Sequence, residues 1–168
     1  MTSLESPSSD ADQSDPFPSR LIYVPLSFEL EPCRLRLINS KDLLREMNPR
    51  VLTAYPPYVT LSHRWGSTQN FTTTKANLHS RQSGFTLQDL PRTYRDAAIV
   101  TARLGFSYLW IDAICIMQDD PEEWLWESEK MGAIYRHAKC TIASHCSEND
   151  DSGFLEAALR KRGSVKFR

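Results

Sequence analysis

Polar and apolar positions along the chain fall into a strand, helix, strand, helix, strand order. The stretch "SFELEPCRLRLIN" alternates around Arg34, Leu35, Arg36 and Leu37, the period of two expected of a strand with one face in water. "YVTLSHRWG" is entered after Pro56-Pro57, runs from Tyr58 to about His63 and closes at Gly66, which predicts another strand. The Thr-, Asn- and Ser-rich connection that follows, "STQNFTTTKANLHSRQSG", holds neither period and reads as loop with room for one short helical turn.

Two helices punctuate the second half. Pro91 suits a first helical turn and Gly105 a left-handed stop, and between them Tyr94, Ala97, Thr101 and Leu104 share one stripe behind Leu90. In the next helix Asp120 is the expected N-cap, Pro121 the first residue and Glu123 the partner in a capping box. At about 100° per residue, Trp124, Ser128, Met131, Tyr135 and Ala138 form its predicted buried stripe, with Ile134 on the flank. Glu129, Lys130, Arg136, His137 and, by the same period, Trp126 are expected to face water. "KCTIASHC" then reads as a short strand of small and β-branched residues.

Helices between short apolar strands imply parallel pairing through right-handed crossovers. The predicted class is α/β: a partial doubly wound parallel sheet of flavodoxin type with flanking helices and an extra strand before it. Tyr58–His63, Tyr108–Ile111 and Thr141–Ser144 should be neighbouring parallel strands. In such a sheet ligands bind outside the carboxyl ends of the strands. This gives a reason for the acid inside "YLWIDAICIMQDD", because a strand ending at Ile111 leaves Asp112 looking into that crevice beside Ser62, His63 and Arg64.

Composition changes this picture little. The 168 residues are 40% hydrophobic and 24% charged with a formal net charge of -1, which suits one globular domain and gives no general attraction for nucleic acid or anionic membrane. No run approaches the roughly 18 apolar residues of a membrane span. Residues 1–20 have neither a basic nor an apolar leader region and read as a disordered tail, with the domain at 21–154 and a terminal tail or shortened continuation at 155–168. Cys33, Cys115, Cys140 and Cys146 are expected as reduced thiols of a cytoplasmic protein.

The candidate chemistry is confined to a few side chains. Ser62, His63, Arg64, Trp65 and Asp112 are candidates for cofactor or nucleotide contact, Arg64 as a forked donor; the plainer alternative is a solvated strand end with a packed turn. Asp112 either bonds N–H groups of its own loop or meets a substrate hydroxyl. Glu127 is either a pocket carboxylate facing the crevice or a structural acid paired with an Arg or hydroxyl of the neighbouring helix. Asp112 and Glu127 are the candidate catalytic carboxylates. Cys115, inside "AICIM", is expected to be a buried inert thiol. The spacing of Cys140, His145 and Cys146 holds no paired ligand motif, so no metal is predicted, and no phosphate-binding glycine loop is present.

"YVTLSHRWG", "LPRTYRDAAIVTARLGFSYLWIDAICIMQDD" and "EEWLWESEKMGAIYRHAKCTIAS" together resemble the HET (heterokaryon incompatibility) domain of filamentous fungi, with "CRLRLIN" similar to its lead-in strand, over roughly Leu21 to Phe154. The resemblance implies a cytoplasmic module of non-self recognition that triggers programmed cell death. It implies partners among other incompatibility or NLR-type signalling proteins, self-association, and no resident cofactor. It also implies a remote kinship to TIR domains, some of which cleave NAD with a glutamate from a later helix. Typical members continue with an Arg-Gly-Trp-Thr-x-Gln-Glu type segment after the third strand. This chain reads "RGSVKFR" from Arg162, so it looks shortened, and NAD cleavage is the expected alternative only for fuller relatives.

Overall fold

The computed structural model describes residues 17–28, 34–46, 55–64, 71–144 and 152–155. Five strands form one mixed sheet: β1 (Arg20–Tyr23), β2 (Arg36–Asn39), β3 (Val59–His63), β4 (Tyr108–Trp110) and β5 (Cys140–Ser144), in the order β2-β1-β4-β3-β5. β3 pairs in parallel with β4 and with β5, so the three predicted strands are neighbours as expected. β1 is antiparallel to both β2 and β4. The end of the "CRLRLIN" stretch forms β2, with Leu37 buried in it and Leu35 buried just before it; Cys33 lies outside the described residues.

The helices are α1 (Ser40–Glu46), α2 (Leu78–Ser83), α3 (Arg92–Arg103), α4 (Asp112–Cys115) and α5 (Pro121–His137). The crossover through α3 steps from β3 to β4, and the one through α5 steps back past β3 to β5. Right-handed connections running in opposite directions across a sheet put their helices on opposite faces. Tyr94 of α3 accordingly meets His63, while Tyr135 of α5 meets Trp110, which belongs to the other side of the pleat.

The helix ends are largely those written in the sequence. Asp120 accepts the Glu123 N–H at 3.2 Å and Pro121 opens α5. Gly105 follows α3 at φ 81, a left-handed conformation that costs a residue with a Cβ dearly. The stripe on α3 is buried at Tyr94, Ala97 and Thr101, whereas Leu104 is exposed because the helix has ended and the chain turns outward there.

Three expectations are corrected. Residues 17–20 are not tail: Phe17 and Arg20 are buried, Phe17 stacks on Tyr55 at 3.8 Å, and Ser40 Oγ donates to Pro18 O at 2.5 Å. Residues 1–16 lie outside the described residues. The Glu123 side chain leaves the capping box and accepts instead from Arg20 Nη2 and from Met117 N, the latter at 2.9 Å. Finally, α5 is turned by about a quarter of a revolution from the predicted orientation. Its buried residues are Glu127, Lys130 and Ile134, and Trp124 is as exposed as Trp126, 47% each.

Candidate functional site

The carboxyl ends of β3 and β4 bring a polar cluster together. β3 ends at His63, whose side chain is 1% exposed. Its Nε2 lies 3.1 Å from the Tyr94 hydroxyl, and the two rings meet edge to face. Its Nδ1 lies 3.9 Å from Asp112 Oδ1. β4 ends at Trp110 and, after Ile111, the chain closes one helical turn, α4, that starts at Asp112. From the other face Tyr135 donates to Leu61 O at 3.2 Å. Burial pushes the Tyr135 hydroxyl up to about 12, and the Asp112 charge adds to the shift, so Tyr135 stays a donor at neutral pH.

Asp112 therefore sits above the sheet between a histidine facing α3 and a tyrosine from α5, as the strand-end rule predicted. Its Oδ1 accepts the Ala113 N–H at 2.8 Å, the local bond foreseen for an acid at a strand end. Thr73 also ties this loop down through Ile114 O, at 2.6 Å. The His63–Tyr94 link is at hydrogen-bond distance, whereas the 3.9 Å between His63 and Asp112 is wider than a direct bond, so these contacts present polar groups to the crevice without forming a continuous proton path. Ser62 and Arg64 flank it as exposed side chains, and Trp65 lies outside the described residues.

Glu127 is not part of this cluster. It is 0% exposed and belongs to a charged network beneath α5. Its Oε1 is 2.6 Å from Lys130 Nζ and accepts Ser19 Oγ at 2.5 Å, and its Oε2 accepts Ser19 N at 3.3 Å. Arg20 extends the network, with Nε bonded to Cys115 O at 3.0 Å and Nη2 paired with Glu123. Burial holds the Arg20 pKa below its ordinary value, and the nearby Cys115 and Glu127 oppose that shift. The structural reading of Glu127 is the one the geometry supports, with different partners from those foreseen: a lysine of its own helix and the segment before β1. Cys115 is fully buried and its thiol is pushed up to about 12, which keeps it protonated and inert, as expected from its apolar surroundings.

Sequence reasoning assigned Tyr94 and Tyr135 to apolar stripes and missed that both hydroxyls reach the strand ends. It also missed Ser19, Arg20 and Lys130. A lone arginine opening the apolar run "RLIY" was the available signal that a buried counter-charge must exist.

A mixed α/β sheet with a polar cluster at the carboxyl ends of its parallel strands is the class this architecture defines. Residues 58–166, more than half of the chain, match the family described as Heterokaryon incompatibility protein (HET), and the chain belongs to that family. No curated protein and no solved structure matches it. β1, β2 and the Ser19-Arg20 segment precede the matched residues, so Arg20 and Ser19 reach Glu123 and Glu127 from outside the family match, whereas Met117 and Lys130 lie within it.

Proposed function

We propose that this chain is a cytoplasmic module of non-self recognition whose activation leads to programmed cell death, and that it works by binding other proteins. The observation that carries this reading is the side-by-side exposure of Trp124, Leu125 and Trp126 on the first turns of α5, inside the family match. Three consecutive large apolar side chains left in water, spread over about 200° of the helix, offer apolar surface to a partner protein. Its partners would be other incompatibility or NLR-type proteins, or further copies of this chain. Among the described residues no helix is long and apolar enough to cross a membrane.

Cleavage of NAD is the second reading, favoured by Asp112 standing with His63 and Tyr135 at the strand ends. Against it, Asp112 already bonds its own loop and Glu127 is enclosed by Lys130 and Ser19. An oxocarbenium-like state needs a carboxylate held near the developing charge.

Expression in a filamentous fungus separates the two. Death should fall about tenfold or more in a Trp124→Glu, Leu125→Glu variant, the scale of a lost hot spot, and persist in Asp112→Asn. Purified protein should release no nicotinamide from NAD above an Asp112→Asn control. Death and nicotinamide release that both vanish in Asp112→Asn would replace the first reading with the second.

A further inference from the structure

A groove runs along the flank of α5 that faces away from the strand-end cluster. Two cavities of about 230 and about 190 Å³ share the walls Phe17 and Tyr55. These rings stack at 3.8 Å with an interplanar angle of 7°, and Tyr58 meets Phe17 edge-on at 5.3 Å. Trp126, Lys130 and His137 line the groove from the helix side, and their spacing puts all three within about 40° of one another around α5. From Trp126 to His137 the helix rises about 16 Å, the span of roughly five residues of extended peptide.

The charges that the described residues place along this groove have one sign. Lys41 and Lys139 stand exposed at its rim, and among the described residues no aspartate or glutamate lines either cavity. Lys130 contributes its stem and its ammonium sits 5.4 Å from the Trp126 ring centre, but its charge is spent on Glu127. The floor is therefore aromatic and the rim cationic. Tyr55, half-buried, lines both cavities, so a further ring entering either one meets an aromatic wall.

We propose that this groove binds an extended, acidic segment of a partner protein, with one aromatic side chain between Asp or Glu residues. This rests on the protein-binding reading above and names the chemistry of the partner. The aromatic side chain would lie against Tyr55 and Trp126, and the acids would meet Lys41 at one end and Lys139 at the other. Charge complementarity selects this occupant over a neutral or basic one.

The test is fluorescence anisotropy of the full chain with labelled Asp-Glu-Phe-Glu-Asp, against Asn-Gln-Phe-Gln-Asn and Asp-Glu-Ala-Glu-Asp. Saturable binding is expected, with a Kd on the order of 10–100 µM for so small a contact, weakening as salt rises. Both control peptides should bind at least about fivefold more weakly, as should Lys41→Glu with Lys139→Glu, and Trp126→Ala. All three positions are exposed, so the variants should fold, which circular dichroism checks. Equal binding of the acid-free peptide, no effect of the lysine reversals, or no saturation by about 1 mM would each overturn the proposal. So would binding that tightens about tenfold when Glu5, Asp10, Asp12 and Asp15 are neutralised, because the groove would then belong to this chain's own acidic N-terminus. Loss of peptide binding with cell death unchanged would remove this site and leave the protein-binding reading standing.

Discussion

α3 and α5 cover opposite faces of the same three parallel strands, and they do so with different chemistry. α3 buries Thr93, Tyr94, Ala97, Ala98, Thr101 and Ala102, small or aromatic residues that let the helix lie close on the sheet. Of its buried hydroxyls, Thr101 is satisfied inside the helix by Ala97 O at 2.8 Å and Tyr94 by His63 at 3.1 Å. α5 buries Glu127 and Lys130 beside Ile134 and leaves two tryptophans in water. An apolar surface accepts whichever helix face is most apolar. A surface that already carries Arg20 and Ser19 instead rewards the face with complementary charges, because leaving any one of them buried alone costs several kcal/mol.

The largest expected effect breaks the α5 side of this comparison. Glu127→Ala removes the acid that faces Lys130 and Ser19, and denaturant unfolding should show a loss of about 3–5 kcal/mol. A double variant, Glu127→Leu with Lys130→Met, should recover most of that loss, since an apolar pair leaves no lone charge. Full loss retained in the double variant would assign the effect to Ser19 and Arg20.

On the α3 side Ala97→Leu tests close packing. Ala97 is fully buried, so the added atoms should destabilise by about 1–3 kcal/mol without altering any charge. The contrast sharpens at Trp124. Trp124→Ala should cost less than about 1 kcal/mol, a surface-type change, and the same holds for Trp126→Ala; a loss of 3 kcal/mol or more, as for a buried tryptophan, would return Trp124 to the core.

The smallest effect lies just before α3. Asp89 accepts from Thr86 N at 2.7 Å and Thr86 Oγ1 at 2.8 Å, and these bonds hold its carboxyl below the usual range. A depressed folded pKa stabilises above the unfolded value and loses that contribution as pH falls through the folded one. Because Asp89 is exposed, solvent screening keeps the effect small: Asp89→Asn should cost less than about 0.5 kcal/mol at neutral pH, with the gap to the native protein closing in acid.

Much of the fold was legible because its signals are local. Asp120-Pro121 and Gly105 set helix ends through backbone geometry that depends on a few neighbours only. The parallel trio β4-β3-β5 followed from alternation and connection length. The position of Asp112 beside His63 followed from the strand-end rule. The role of Tyr94 and Tyr135 at that site was not legible, because a tyrosine on an apolar stripe does not declare where its hydroxyl ends. β1 was missed for another reason: it is buried on both faces, so "RLIY" shows no alternation, and its register is fixed by β2 and β4.

The sequence alone determined the Asp120 cap, the Gly105 stop, the order β3-α3-β4-α5-β5 and the inert burial of Cys115, since each rests on residues adjacent along the chain. Only the tertiary structure decided which way α5 turns and what Glu127 does. Those outcomes depend on Ser19 and Arg20, more than a hundred positions away, and a buried charge is settled by the partner that the fold delivers to it.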